Sequence, residues 1–138
     1  MSATGLTQDA GWQAGASRTF PVDRTTAWSA LVSGPGLRAW LGRLDALPTG
    51  TGDPYETEDG VRGEVRSWRP QERLRLRWQG PGRSEPAILQ VALSESRGGT
   101  VVRLHADHLA DADERVQVLE HFAGALERLA RVIEREPA

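Results

Sequence analysis

Cysteine, lysine and asparagine are all missing from this chain. Without cysteine there are no disulfides and no thiolate metal sites, and nothing calls for an oxidising compartment. Without lysine there is no Schiff-base chemistry and no lysine nucleophile. All seventeen basic residues are therefore arginine. Arginine suits bidentate anion binding, but the joint loss of lysine and asparagine, both with A-rich codons, points first to a GC-rich bacterial genome. Long apolar runs are missing too. Nothing approaches the ~18 consecutive apolar residues a membrane helix needs. Residues 1–13 have neither the basic nor the apolar region of a signal peptide, so the cytoplasm is the expected location.

Charge of one sign is also lacking. The net charge is −2 with both signs interspersed, which argues against a nucleic-acid partner and against a polybasic membrane surface. At 138 residues the chain suits one domain, able to hide roughly 68% of the surface it exposes when unfolded. Residues 1–11 are small and polar and are expected to be disordered. The domain itself is expected to occupy residues 12–136.

From Trp12 the pattern has a period of two. Trp12, Ala14, Ala16, Arg18, Phe20 and Val22 share a face, which predicts a first strand over residues 13–22. Asp23 or Thr25 can cap a short helix over 24–32 that buries Ala27, Trp28 and Leu31. Ser33, Gly34 and Pro35 stop and restart the chain. A second short helix carries Leu37, Trp40 and Leu41 and ends at Gly42. Residues 44–106 read as a meander of strands. Asp59-Gly60 marks a hairpin between 54–58 and 61–68. In the strand 73–79, Leu74, Leu76 and Trp78 alternate with Arg73, Arg75 and Arg77, apolar in and arginine out. Strands follow over 87–95, with Leu89, Val91 and Leu93 on one face, and over 100–106, with Val102 and Leu104 inward. With no helices between them, these strands imply an antiparallel sheet.

The last segment changes period. Val116, Leu119, Phe122, Leu126, Leu129 and Ile133 recur at spacings of three and four, widened by Val118, Ala125 and Val132. This predicts a helix over 113–135 with one broad apolar face, capped by Asp111 or Asp113. The inner side of the sheet is the only large partner for that face. The expected class is α+β: a curved antiparallel sheet of six to seven strands, with two short helices after the first strand and a long C-terminal helix across its concave face.

This order, together with four stretches, carries a family resemblance. Residues 18–31 (RTFPVDRTTAWSAL), 36–42 (GLRAWLG), 63–78 (GEVRSWRPQERLRLRW) and 99–109 (GTVVRLHADHL), the last followed by the helix through Phe122 and Ile133, resemble the helix-grip proteins of the START-like superfamily. That superfamily is also called SRPBCC, Bet v 1-like or polyketide cyclase-like. The wording is closest to the branch named after the C-terminal domain of the Hsp90 ATPase activator Aha1, over residues 12–136. Phe122 stands near where many members have Gly-Trp. The resemblance implies a strand, two short helices, a six-strand meander and a long helix. It also implies one of three uses: a hydrophobic or amphipathic small molecule held between sheet and helix, a protein partner, or cyclase-like chemistry. Fold does not choose among these.

The first of those uses gives the candidate binding residues. Trp40, Trp68, Leu76, Trp78, Val91, Leu104, Phe122 and Leu126 are the expected wall of an enclosed space between sheet and helix. Taken one at a time, each of them reads first as plain core, since Trp and Leu at strand and helix periodicity are core residues more often than ligand contacts. His108, placed in the loop before the long helix, stands near the expected mouth; beside Asp107 or Asp111 it could form an acid–base pair, though a loop histidine beside aspartates is more often only solvated. Trp68 falls on the outward phase of its strand unless a bulge at 67–70 shifts the register. His105 is expected to face solvent, and His121 to sit on the shoulder of the helix stripe. Glu56, Glu58, Asp59 and Glu64 read as solvated charges, with Glu64 pairing across to the arginine strand. Arg73, Arg75 and Arg77 could bind an anion or an acidic partner, or be solvated and paired.

No catalytic residue, cofactor or metal site is expected: the histidine spacing matches no zinc motif, and no phosphate loop or nucleophile elbow is present. The leading reading is a binding protein for a small hydrophobic or amphipathic molecule. The alternatives are a protein-interaction module, with a protein partner or a second copy of the chain, and a cyclase-like or dehydratase-like enzyme. The inward phases hold almost no titratable group, which ranks the enzyme last. The chain lacks the separate N-terminal domain of the eukaryotic activator, so Hsp90 stimulation is not expected.

Overall fold

The structure is a computed structural model that describes residues 6–7, 11–81, 83 and 85–135. The elements run β1 (Leu6–Thr7), β2 (Gly11–Phe20), α1 (Arg24–Val32), α2 (Gly34–Trp40), β3 (Pro54–Glu56), β4 (Arg62–Arg69), β5 (Arg73–Gln79), β6 (Ala87–Ser96), β7 (Gly99–Leu109) and α3 (Ala112–Arg135). The strands form one sheet in the order β1-β2-β7-β6-β5-β4-β3. Every pairing is antiparallel. The single crossover is the return from β2 past the two short helices to β3 at the far edge, and the meander then walks back to meet β2.

Three expectations are corrected. Leu6 and Thr7 pair with Trp12 and Gly11, so the first eleven residues are not uniformly disordered; residues 1–5 and 8–10 lie outside the described residues. Five strands follow the helices rather than six, because residues 44–53 form an irregular connection. Pro48, Gly50 and Gly52 interrupt any alternation there. On α3, Val116 is about half exposed. The buried line runs instead through Val118, Phe122, Ala125, Leu126, Leu129 and Ile133, so the stripe is centred about two residues later than its first valine suggests.

Local chemistry fixes the helix ends. Asp23 caps α1, its Oδ1 accepting the Thr26 N–H at 2.8 Å. That N–H holds the Asp23 carboxyl below the ordinary aspartate value. Ser33 caps α2 by accepting from Gly36 N–H at 3.1 Å, with proline in the first turn. Asp111 caps α3 by accepting from Glu114 N–H, while Glu114 Oε1 accepts from Ala110 N–H, both at 2.8 Å. This is a reciprocal capping arrangement. Glu114 also takes a two-pronged hydrogen bond from Arg83, Nε to Oε2 at 2.8 Å and Nη2 to Oε1 at 2.7 Å. The β5–β6 connection is thereby tied to the start of α3.

α1 packs on β6 and β7, α3 lies along β2 and β7, and α2 packs against both of these helices. Polar ties supplement the apolar contact. His121 Nε2 lies 3.0 Å from the Trp40 carbonyl. Arg128 Nε donates to the Ala39 carbonyl at 2.9 Å. Two side chains of α3 thus reach the last turn of α2, whose carbonyls have no partner within the helix.

Candidate functional site

The apolar residues expected to wall an enclosed space lie in or against the buried cluster between sheet and helices. Trp40, Leu76, Val91, Leu104, Phe122 and Leu126 are all buried in one continuous cluster, and Trp68 and Trp78 pack against it half-buried. Trp68 points inward. The bulge that turns it lies at Arg66, one residue before the expected stretch: Val65 pairs with Leu76 and Ser67 with Arg75, leaving Arg66 unopposed. Trp68 then shares the face of Leu74, and its ring meets Trp28 of α1 edge-on at 5.4 Å.

Tyr55 is the inward polar residue that sequence reasoning passed over. It alternates with Pro54 and Glu56 and faces Gly63. Its hydroxyl donates to the Arg77 carbonyl at 2.8 Å. A side chain at Gly63 would occupy the space of that carbonyl and hydroxyl. Burial pushes the Tyr55 hydroxyl well above the ordinary tyrosine value. It therefore acts as a neutral donor that ties β3 to β5 across β4.

His108 requires a correction. It is the penultimate residue of β7, not a loop residue, and its φ is 61°. Trp12 pairs with Leu109 and Ala14 with Ala106, so Gln13 alone opposes Asp107 and His108. This second bulge keeps Ala106 and Leu109 both buried and leaves His108 exposed on the outer face. His108 Nε2 stands 3.9 Å from Asp107 Oδ1. His105 also lies on the outer face, with Nε2 2.8 Å from Gln13 Oε1.

The two bulges frame a hollow on the outer face of the sheet. Its volume is about 460 Å³, and its lining is Arg66, Ser67, Arg75, Arg77, Pro86, Ile88 and His108. Register explains the grouping. Two neighbouring rows of outward side chains cross the strands from β4 to β7, Ser67–Arg75–Gln90–His105 and Glu64–Arg77–Ile88–Asp107, and the hollow lies over both. Glu64 sits 3.6 Å from Arg77, the cross-strand pairing expected of it, and 3.7 Å from Arg66 on its own strand. Ser67 Oγ and Arg75 Nε are buried without a hydrogen-bond partner, as are Arg73 Nε and Asp107 Oδ1 beside the hollow. Buried polar atoms are normally paired, and these four all lie on the outer side of the sheet.

A second arginine-lined hollow, about 290 Å³, lies between α2 and α3 and includes Arg38, Arg128, Arg131 and Arg135. Among the described residues no group of three or more His, Asp or Glu side chains is placed to hold a metal ion, and no helix is long and apolar enough to cross a membrane.

Residues 21–134 match the family model described as Activator of Hsp90 ATPase homolog 1-like protein. No curated protein matches the sequence. Among solved structures, a protein from Mesorhizobium loti superposes with TM-score 0.76 at 17% identity, over 91% of this chain and 99% of its own. CalU16 from Micromonospora echinospora gives 0.75 at 19%, over 91% and 76%. The Aha1 dimer from Colwellia psychrerythraea gives 0.72 at 14%, over 91% and 98%. At such identities these likenesses bear on the fold alone. The model match covers most of the chain, from the end of β2 to the last turn of α3, and it follows that the chain belongs to the Activator of Hsp90 ATPase homolog 1-like family.

Proposed function

We propose that this domain is a non-covalent recognition module whose working surface is the outer face of the sheet and whose partner is acidic. The observation that carries this reading is the contrast between the two sides. The residues expected to wall an interior space belong to a continuous core, whereas the outer hollow is lined by three arginines, two of them sharing one glutamate. An arginine surface of this kind gains both encounter rate and specificity from charge complementarity.

The test is binding of a heptaglutamate peptide at low salt, read by calorimetry. Arg75→Glu with Arg77→Glu should weaken binding at least about tenfold, because two attractive charges become repulsive. Arg131→Glu with Arg135→Glu, in the hollow between α2 and α3, should change it less than about threefold, since this reading gives those charges no part in binding and salt screens distant charges. Equal losses from the two pairs, or none from the first, would remove the outer face as the working surface.

A second reading keeps the interior: an amphipathic molecule held between sheet and α3, with Trp40, Trp68, Leu76, Trp78, Val91, Leu104, Phe122 and Leu126 around it. Trp68 and Trp78 favour it, being the two wall residues left half-buried. A ligand that binds only the folded state raises the melting temperature. This reading expects a rise of about 3 °C or more from at least one member of a panel of fatty acids and aromatic polyketides, and a flat panel contradicts it.

A further inference from the structure

We infer that the outer hollow takes a phosphomonoester, a doubly charged phosphate carrying an apolar body. The inference rests on the reading of this hollow as a binding site and goes further by naming the group it holds.

Charge is the first argument. Arg66, Arg75 and Arg77 line the hollow, and Glu64 reaches two of them. Three positive charges less one negative leave a formal +2. Arg73 and Asp107, which flank the lining on the same face, cancel each other. A monocarboxylate would leave this site half neutralised, whereas a phosphate dianion matches it. Hydrogen-bond supply is the second argument. Arg75 and Ser67 face each other across β4 and β5, and both line the hollow. A tetrahedral group with three acceptor oxygens suits a lining of three arginines and a serine, because arginine forks and hydroxyls form short, strong bonds to phosphate. Room is the third. A phosphate fills only part of about 460 Å³, and the remaining wall includes Pro86 and the outward side chain of Ile88. Those surfaces are apolar and suit a flat ring or a short aliphatic chain rather than a second charge.

Arg66 has a particular part in this. It is the extra residue of the β4 bulge, so its side chain is released from the regular alternation and can lean over the hollow. A bulge that re-aims one side chain beside a site is a common device.

The probe is phenyl phosphate, titrated into the full chain and followed by calorimetry beside inorganic phosphate, benzoate and phenol. Phenyl phosphate should bind at least tenfold tighter than inorganic phosphate, which lacks the apolar body, and at least tenfold tighter than benzoate, which lacks the second charge. Phenol should not bind measurably. Arg75→Gln and, on the other wall, Arg66→Gln should each weaken phenyl phosphate at least tenfold at unchanged melting temperature; using two variants guards against one that folds badly.

A phosphotyrosine peptide distinguishes the sources. Tighter binding than phenyl phosphate assigns the group to a phosphorylated partner, and equal binding assigns it to a free phosphate ester. Benzoate binding as well as phenyl phosphate, or phenyl phosphate indifferent to Arg75→Gln, overturns the inference. If heptaglutamate still binds in an Arg75-dependent way, the recognition module stands and only the phosphate assignment falls. If neither ligand depends on Arg75, both fall.

Discussion

Trp40→Ala should lower the unfolding free energy by about 3–5 kcal/mol, the usual cost of emptying a large aromatic site in a core. Trp40 is 1% exposed and heads the fully buried side chains by volume. Its indole Nε1 also donates to the Leu31 carbonyl at 2.9 Å, inside the core. Alanine leaves both a void and a buried carbonyl without its partner, and the second loss alone costs about 1–3 kcal/mol. Trp40→Phe separates the two terms, since it keeps most of the volume and loses only the donor; it should cost about half as much. A whole domain is stable by only about 5–15 kcal/mol, so Trp40→Ala should show a clear shift of the urea midpoint. A shift below about 1 kcal/mol would mean that Trp40 does not hold α1 and α2 together.

Gly36→Ala should destabilise by about 2 kcal/mol or more, although glycine to alanine inside a helix ordinarily gains about 1 kcal/mol. The sign reverses because α1 and α2 touch at Gly36. A Cβ there would stand 1.7 Å from the Ala30 carbonyl oxygen and 2.9 Å from that of Leu31. Both obstacles are backbone, so the helices would have to part, and overpacking of this kind typically costs about 1–3 kcal/mol. Gly124 is the matched control. It too lies inside a helix, but its Cβ would meet Arg128 Nη1 at 2.8 Å, the far end of a flexible side chain. Gly124→Ala should therefore be neutral or gain up to about 1 kcal/mol. Denaturant curves of the two variants decide the matter: equal effects would contradict the close approach of α1 and α2.

Much of this architecture is legible without coordinates, and the reason is periodicity. The bounds of α1 and β5 coincide with those expected, because Asp23 caps one and the arginine–apolar alternation of residues 73–79 defines the other. The outward direction of Arg73, Arg75 and Arg77, the pairing of Glu64 with Arg77, and the shoulder position of His121 follow from the same rule. What the pattern cannot give is the location of an extra residue. The bulges at Arg66 and at Asp107–His108 each shift a phase that alternation alone carries straight through. Trp68 and His108 fall just past those points, and they are the two candidates whose placement the sequence leaves open or misplaces. The outer hollow was illegible for a second reason. Arg66, Ser67, Ile88 and Pro86 come from two strands and a loop about twenty residues apart, and only the β4-β5-β6 register brings them beside Arg75 and Arg77. Tyr55 was legible in principle: it alternates with Pro54 and Glu56, but a three-residue strand offers too little pattern to place its hydroxyl.

The conclusion that recognition takes place on the outer face can be tested by mapping ligand-induced shifts in a two-dimensional ¹H–¹⁵N spectrum during titration with phenyl phosphate or the acidic peptide. The five tryptophan indoles serve as interior reporters, Trp40, Trp68 and Trp78 above all. The amides of Ser67, Arg75, Ile88 and His108 should move while those three indole signals stay in place. Indole signals that move while the outer amides remain still would contradict it and return the binding site to the space beneath α3.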